Sequence, residues 1–219
     1  MSCLHVNKFL PVILHRADAR ELTSAGRECR QCISERSQIA RAAPGEDRTK
    51  KERLKNMIDF VIRPVCPEDL DMVTEVEAVC FPPAEAAPRE SFKQRIAAFP
   101  ECFFVAMHGD KMIGFINGCA TDEMTIRDEM FADSSLHNPN GIYQSIFGLA
   151  VIPEFQRQGI GAELMKHLIE NAREKGRKGL SLTCKDYRVH YYAKFGYKNL
   201  GVSASVHGGA VWYDMLLEF

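Results

Sequence analysis

The chain has no excess of one charge, no long apolar run and no convincing cluster of metal ligands. Its 28 Lys and Arg against 29 Asp and Glu leave a formal charge of −1, which gives no electrostatic reason to expect nucleic acid, whose binding rests on clustered cations meeting phosphates. No stretch reaches the roughly 18 consecutive apolar residues of a membrane-spanning helix. Nothing resembling a secretory signal accompanies the eight cysteines, at positions 3, 29, 32, 66, 80, 102, 119 and 184, so they are expected to be reduced thiols of a cytoplasmic protein. Only Cys29 and Cys32 have metal or redox spacing; two further ligands are missing, and His5 and His15 do not complete the set. No metal and no membrane are expected. With 46% apolar and 26% charged residues in 219, the composition is that of a globular protein.

What is there divides near residue 57. Residues 1–56 are polar and basic, with Arg41, Arg48, Lys50, Lys51, Arg53 and Lys55 close together, and such a stretch buries little apolar surface. Asp18, Glu21 and Glu28 argue against a transit peptide. We expect a poorly ordered extension over 1–56, a compact domain over 57–219, and Met57 as a candidate translation start. From Met57 the patterning predicts a strand over 58–63 and a helix after Cys66-Pro67 striped by Leu70, Val73, Val76 and Val79. Phe81-Pro82-Pro83 ends that helix, and a second one runs over 90–99. Strands over 102–107 and 112–121 turn at His108-Gly109-Asp110-Lys111, and a polar connection fills 122–141. One long strand follows over 142–152, then a helix from Ile160 to Lys175-Gly176, a strand over 179–184 and a short helix over 189–195. A last hairpin pairs 201–206 with 210–217.

Gln156-Arg157-Gln158-Gly159-Ile160-Gly161 sits between the apolar run ending at Ile152 and an amphipathic helical pattern. Two glycines one residue apart let the backbone turn tightly, and the helix that follows offers unpaired N–H groups and a positive dipole end. An anion such as pyrophosphate suits that place. The stretch lacks the Lys-Ser/Thr of a P-loop and the third glycine of a dinucleotide fingerprint. It resembles the Arg/Gln-x-x-Gly-x-Gly/Ala signature of the GNAT superfamily of N-acetyltransferases, with Gln156, Gly159 and Gly161 on the defining positions. The element order fits that resemblance over residues 58–219. Arg63-Pro64 with Pro67-Glu68-Asp69, Glu77 to Pro83, and Cys184-Lys185-Asp186 leading to Tyr191-Tyr192-Ala193-Lys194-Phe195 make it look most like the arylalkylamine (serotonin) N-acetyltransferase branch.

The resemblance implies an α/β (α+β) fold with a central mixed, mostly antiparallel sheet and helices on both faces. It implies acetyl-CoA as co-substrate, its pantetheine arm along the backbone of Leu149, Ala150 and Val151 and its pyrophosphate at Gln156, Arg157, Gln158, Gly159, Ile160, Gly161 and Ala162. A β-carbon at Gly159 or Gly161 is expected to collide with that ligand. The implied reaction is attack of a neutral amine on the thioester, which needs a proton acceptor, an oxyanion donor and a general acid for the leaving thiolate. Tyr192 matches the family's tyrosine near the sulfur, as catalytic acid and cofactor contact. The histidine pair of animal members falls on Ser145 and Phe147, so the relay is absent; Glu85, Asp122, Glu123 or a water chain are the alternatives, and His190 reads as surface or satisfied core. Phe81, Pro82, Pro83 and Phe92 are a candidate apolar wall for a small aryl or alkyl amine, with Glu85 beside it. Polyamine or protein acetylation, or an acyl-CoA-binding module without catalysis, stay open, as does monomer against homodimer.

Overall fold

A computed structural model describes residues 58–219; the expectations for the basic extension, Met57 and the Cys29–Cys32 pair lie outside the described residues. The strands are β1 Val61–Pro64, β2 Phe103–His108, β3 Lys111–Asn117, β4 Ala120–Thr121, β5 Tyr143–Ile146, β6 Gly148–Val151, β7 Gly179–Cys184, β8 Lys198–Val202 and β9 Tyr213–Glu218. The helices are α1 Leu70–Cys80, α2 Arg89–Ala98, the single turn α3 Glu129–Ala132, α4 Ile160–Glu174 and α5 Asp186–Ala193. Two sheets result, in the orders β1-β2-β3-β6 and β4-β5-β7-β9-β8. Every strand pairing is antiparallel except β5 with β7.

Both faces of the first sheet are covered, because β3 is buried at every position after Lys111 instead of alternating. Phe92 of α2 packs on Phe103 and Phe115 from one face. On the other face the ring of Phe104 meets His167 of α4 edge-on, centroids 4.5 Å apart. The entry to α1 is set by Asp69, which takes a two-pronged ion pair from Arg63 at 2.7 and 2.8 Å and the Cys66 N–H at 2.8 Å. This is what Arg63-Pro64 and Pro67-Glu68-Asp69 do in the folded chain.

Helix α1 differs from its expected stripe. Val73, Val76 and Glu77 are the buried positions, whereas Val79 is 61% exposed. Steps of three residues under-rotate by about 60° each, so Leu70 and Val79 end on opposite sides of the helix. The face that packs runs through 73, 76, 77 and 80, and it carries a glutamate.

Two further boundaries move for local reasons. The expected strand over 112–121 breaks after Asn117, and Ala120–Thr121 joins the second sheet beside β5. The expected last hairpin is shifted to 198–202 and 213–218. Ser203 N–H still donates to the Trp212 carbonyl at 2.8 Å, and beyond it Asp128 accepts from Ser205 Oγ and from the Val206 N–H, which draws residues 205 and 206 off the ladder.

Candidate active site

The single strand expected over 142–152 is two strands with a break at Phe147. Phe147 N–H donates to the Asn117 carbonyl at 2.8 Å while Gly148 is the register partner of the same Asn117, two residues against one, which is a β-bulge. Before the bulge the chain pairs with β7; after it, with β3. The two sheets therefore part between β6 and β7. Ile152 N–H donates to Ile113 at 3.0 Å, so in the alternating antiparallel ladder Leu149 and Val151 turn their N–H and C=O groups away from β3, toward the opening. Gln156 Nε2 donates to the Val151 carbonyl at 2.8 Å, and the Val151 N–H points at the Cys80 thiol. An extended amide chain could pair with this edge as a further strand would.

After β6 a turn over Pro153–Phe155 leads into the glycine loop. Arg157 has φ 62° and Gly159 φ 90°, both in the left-handed region. Gly159 is the N-cap of α4, and its carbonyl takes the first helical N–H groups, from Ala162 and Glu163. The N–H groups of Ile160 and Gly161 are left at the helix entrance without an intrahelical acceptor. Gln158 Nε2 donates to Glu154 O at 3.1 Å. The two glutamines thus brace the loop with their amides, and the groups offered to an anion are backbone N–H and the dipole. Gly161 differs from Gly159. A Cβ at 161 would sit 3.4 Å from Tyr191 Oη and 3.6 Å from Val151 Cγ2, ordinary contact. The protein itself has room for it, which suits a position where the signature allows alanine.

Helix α5 begins directly after β7 and carries the tyrosines. Tyr192 is half-buried, its ring T-shaped to Tyr191 at 5.1 Å and to Tyr197 at 6.1 Å. Burial, then the neighbouring Cys184 and Tyr191, raise the Tyr192 phenol well above its ordinary range. The hydroxyl keeps its proton at neutral pH and is a donor in the resting state. Burial raises Tyr191 in the same direction. His190 is exposed.

On the other flank the candidate acceptor residues separate. Phe81 is half-buried against the core and Pro82 is exposed. Glu85 pairs with Lys185 at 2.6 Å. Phe92 is a correction: it is 0% exposed, locked among Phe103 and Phe115, and cannot line an open wall. Ser145 is fully buried, with its hydroxyl toward the Cys119 thiol. Asp122 accepts from Asn138 Nδ2 and the Ile142 N–H, and Glu123 pairs with Arg127 at 3.4 Å, so both serve the connection they lie in.

Sequence reasoning missed three residues that gather beside the bulge. Arg95, 5% exposed, donates to Asn117 Oδ1 at 3.2 Å and Phe131 O at 2.8 Å, and its guanidinium lies 5.1 Å from the centre of the Phe147 ring. His207 stacks on Phe131 and its Nε2 is 3.1 Å from the Glu85 carbonyl. Glu77, 6% exposed, accepts the Ala87 N–H at 2.8 Å, and Arg95 and His207 both act on its charge. Arg95 could not be found by pattern, because its helix has little apolar contrast. Glu77 could have been, from the 73, 76, 77, 80 spacing.

Among the described residues no helix is long and apolar enough to cross a membrane, and no group of three His, Cys, Asp or Glu could hold a metal ion.

The site is thus a mixed sheet parted at a bulge, with a glycine-turned helix entrance beside the parting. The chain belongs to the acetyltransferase (GNAT) family, which matches residues 70–197. It is 27% identical over 144 residues to the probable hydrolase YhcX of Bacillus subtilis, covering 62% of this chain and 28% of that protein. It is 24% identical over 157 residues to serotonin N-acetyltransferase of Mesocricetus auratus, covering 70% of this chain and 74% of that protein. Among solved structures, the GphF GNAT-like decarboxylase in complex with isobutyryl-CoA superposes with a TM-score of 0.64 at 21% identity, covering 72% of this chain and 98% of that one. The chain thus spans little more than a quarter of YhcX, and the GphF likeness concerns the fold.

Proposed function

We propose that the protein transfers the acetyl group of acetyl-CoA to a primary amine, a small arylalkylamine-like molecule. The observation that carries this reading is the open edge of β6 between the glycine loop and Tyr192. The amide-rich pantetheine arm suits the outward N–H and C=O groups of Leu149, the Val151 groups being engaged by Gln156 and Cys80, and the pyrophosphate suits the free N–H groups of Ile160 and Gly161 with Arg157 close by. A CoA thioester held in that way brings its carbonyl to the parting of the sheets. There the amine nitrogen forms a bond to the carbonyl carbon, the carbon–sulfur bond breaks, the nitrogen loses a proton and the sulfur gains one. Tyr192, kept protonated by its burial, donates to the departing sulfur. Phe81 and Phe147, both half-buried, give the acceptor side an apolar character.

The experiment is CoA release from acetyl-CoA by the full chain with arylalkylamines, polyamines and short peptides, and Gly161→Trp as the control for the loop. Turnover on arylalkylamines supports the reading. Turnover on spermidine or on peptides alone replaces the acceptor class, and acetyl-CoA binding without turnover makes the protein an acyl-CoA-binding module.

A further inference from the structure

Helix α1 sends Val79 to solvent and Glu77 into the packed face. Local rules of this kind are broken at functional positions, because a buried carboxylate has a cost that packing alone does not repay. The position of Glu77 can be triangulated. Cys80, on the same face one turn later, lies at the Val151 N–H. Arg95, which acts on the charge of Glu77, lies over Phe147. Glu77 is therefore beside β6 between residues 147 and 151, the stretch that holds the outward groups of Leu149. Ala87 N–H fixes one carboxylate oxygen, and the other takes no hydrogen bond from the described residues.

We propose that Glu77 accepts the proton lost by the acceptor amine. The inference rests on the amine acetyltransferase reading above. In the step, the ammonium of the bound acceptor gives its proton to the free oxygen of Glu77, and the nitrogen lone pair so exposed attacks the thioester carbonyl. The groups that face the carboxylate are Arg95 from α2, His207 from the 203–212 loop and Cys80 from α1 itself. Burial dominates over the opposing Ala87 N–H bond, Arg95 and His207 and brings the carboxyl from its ordinary 4.5 to about 7. A carboxylate near neutral pH is a far better match to a proton-transfer task than one at 4.5.

The test is the pH dependence of kcat/KM for wild type, Glu77→Gln and Glu77→Asp, with Glu75→Gln on the exposed side of α1 as control and tryptamine, spermidine and a short peptide as acceptors. Wild type is expected to rise through pH about 7 and then hold level up to the pKa of the amine, since the enzyme deprotonates the ammonium itself. Glu77→Gln is expected to fall by about 10²–10⁴ at neutral pH and to climb tenfold per pH unit until the amine ionises, with acetyl-CoA affinity unchanged. Should that variant not fold, Glu77→Asp keeps a level region with a shifted limb. A Gln or Asp variant that keeps the wild-type limb overturns the proposal while leaving acetyl transfer standing. Wild type that acetylates no amine overturns the underlying reading and this inference with it.

Discussion

Lys185 and Glu85, 100 residues apart in sequence, meet at 2.6 Å and tie the loop after α1 to the residue that follows β7. Glu85, one of the candidate bases, is thereby engaged with a cation, and its carbonyl also meets His207 Nε2. The pair joins one flank of the sheet opening to the other. A partly buried ion pair of this sort is worth about 1 kcal/mol. Glu85→Gln or Lys185→Ala should therefore raise the KM of the acceptor about fivefold, leaving acetyl-CoA affinity and the neutral-pH limb of kcat/KM in place. Steady-state kinetics over pH checks this; loss of the limb in Glu85→Gln would return Glu85 to the role of base.

The two loop glycines should respond differently to alanine. Gly159 sits at φ 90°, where an L side chain costs about 1–2 kcal/mol, and Gly159→Ala should lower both thermal stability and acetyl-CoA affinity. Gly161→Ala meets only ordinary contacts with Tyr191 and Val151 and should leave Tm unchanged. Gly161→Trp, too large for the helix entrance, should abolish acetyl-CoA binding. Differential scanning fluorimetry with and without acetyl-CoA separates the three.

Tyr192→Phe should reduce kcat by about 10²–10⁴ with little change in KM, as expected of a group that acts on the leaving sulfur. The raised phenol adds a second expectation: wild type should show no loss of activity from Tyr192 ionisation up to pH 10. Tyr191→Phe removes a hydroxyl that packs against Gly161 and should leave kcat near wild type. Pre-steady-state CoA release distinguishes slowed chemistry from slowed product release.

The order of elements and the glycine loop were legible because they rest on local periodicity and on turn chemistry. Strand Gly179–Cys184 and helix Ile160–Glu174 fall where apolar alternation and the Gly176 stop put them. The bulge at Phe147 was not legible. An unbroken apolar run reads as one strand, and only the competition between β3 and β7 for its two halves divides it. Phe92 misled for a related reason, since composition says that a phenylalanine will be buried but not in which packing layer. Glu77 was hidden by counting valines in steps of three, a spacing that drifts around the helix. Arg95 and His207 reach the site from segments distant in sequence, and no spacing announces them.

His137 gives a stability test on another side of the domain. Its Nδ1 accepts the Ala120 N–H at 3.1 Å, so Nε2 carries the hydrogen and donates to Glu101 at 3.2 Å. Burial is the largest influence on this imidazole and lowers its pKa from the ordinary 6.5, against the opposing pull of Glu101. The unfolded chain then binds a proton that the folded chain resists. The neutral ring's contribution is complete above pH 6.5 and is lost as pH falls through the lower folded value. Glu77 runs in the opposite sense: its folded carboxyl is raised to about 7, so its contribution is complete below 4.5 and lost as pH rises toward 7. A raw stability curve mixes the two, and the comparison of variants separates them. His137→Asn should cost about 1 kcal/mol at pH 8 through the altered Ala120 and Glu101 hydrogen bonds, a Tm loss of about 2–4 °C. Below pH 6 its Tm should fall less steeply than that of wild type. Glu77→Gln should lose the opposite slope between pH 5 and 7. Identical slopes for wild type and His137→Asn would mean that protonation of this histidine does not couple to folding.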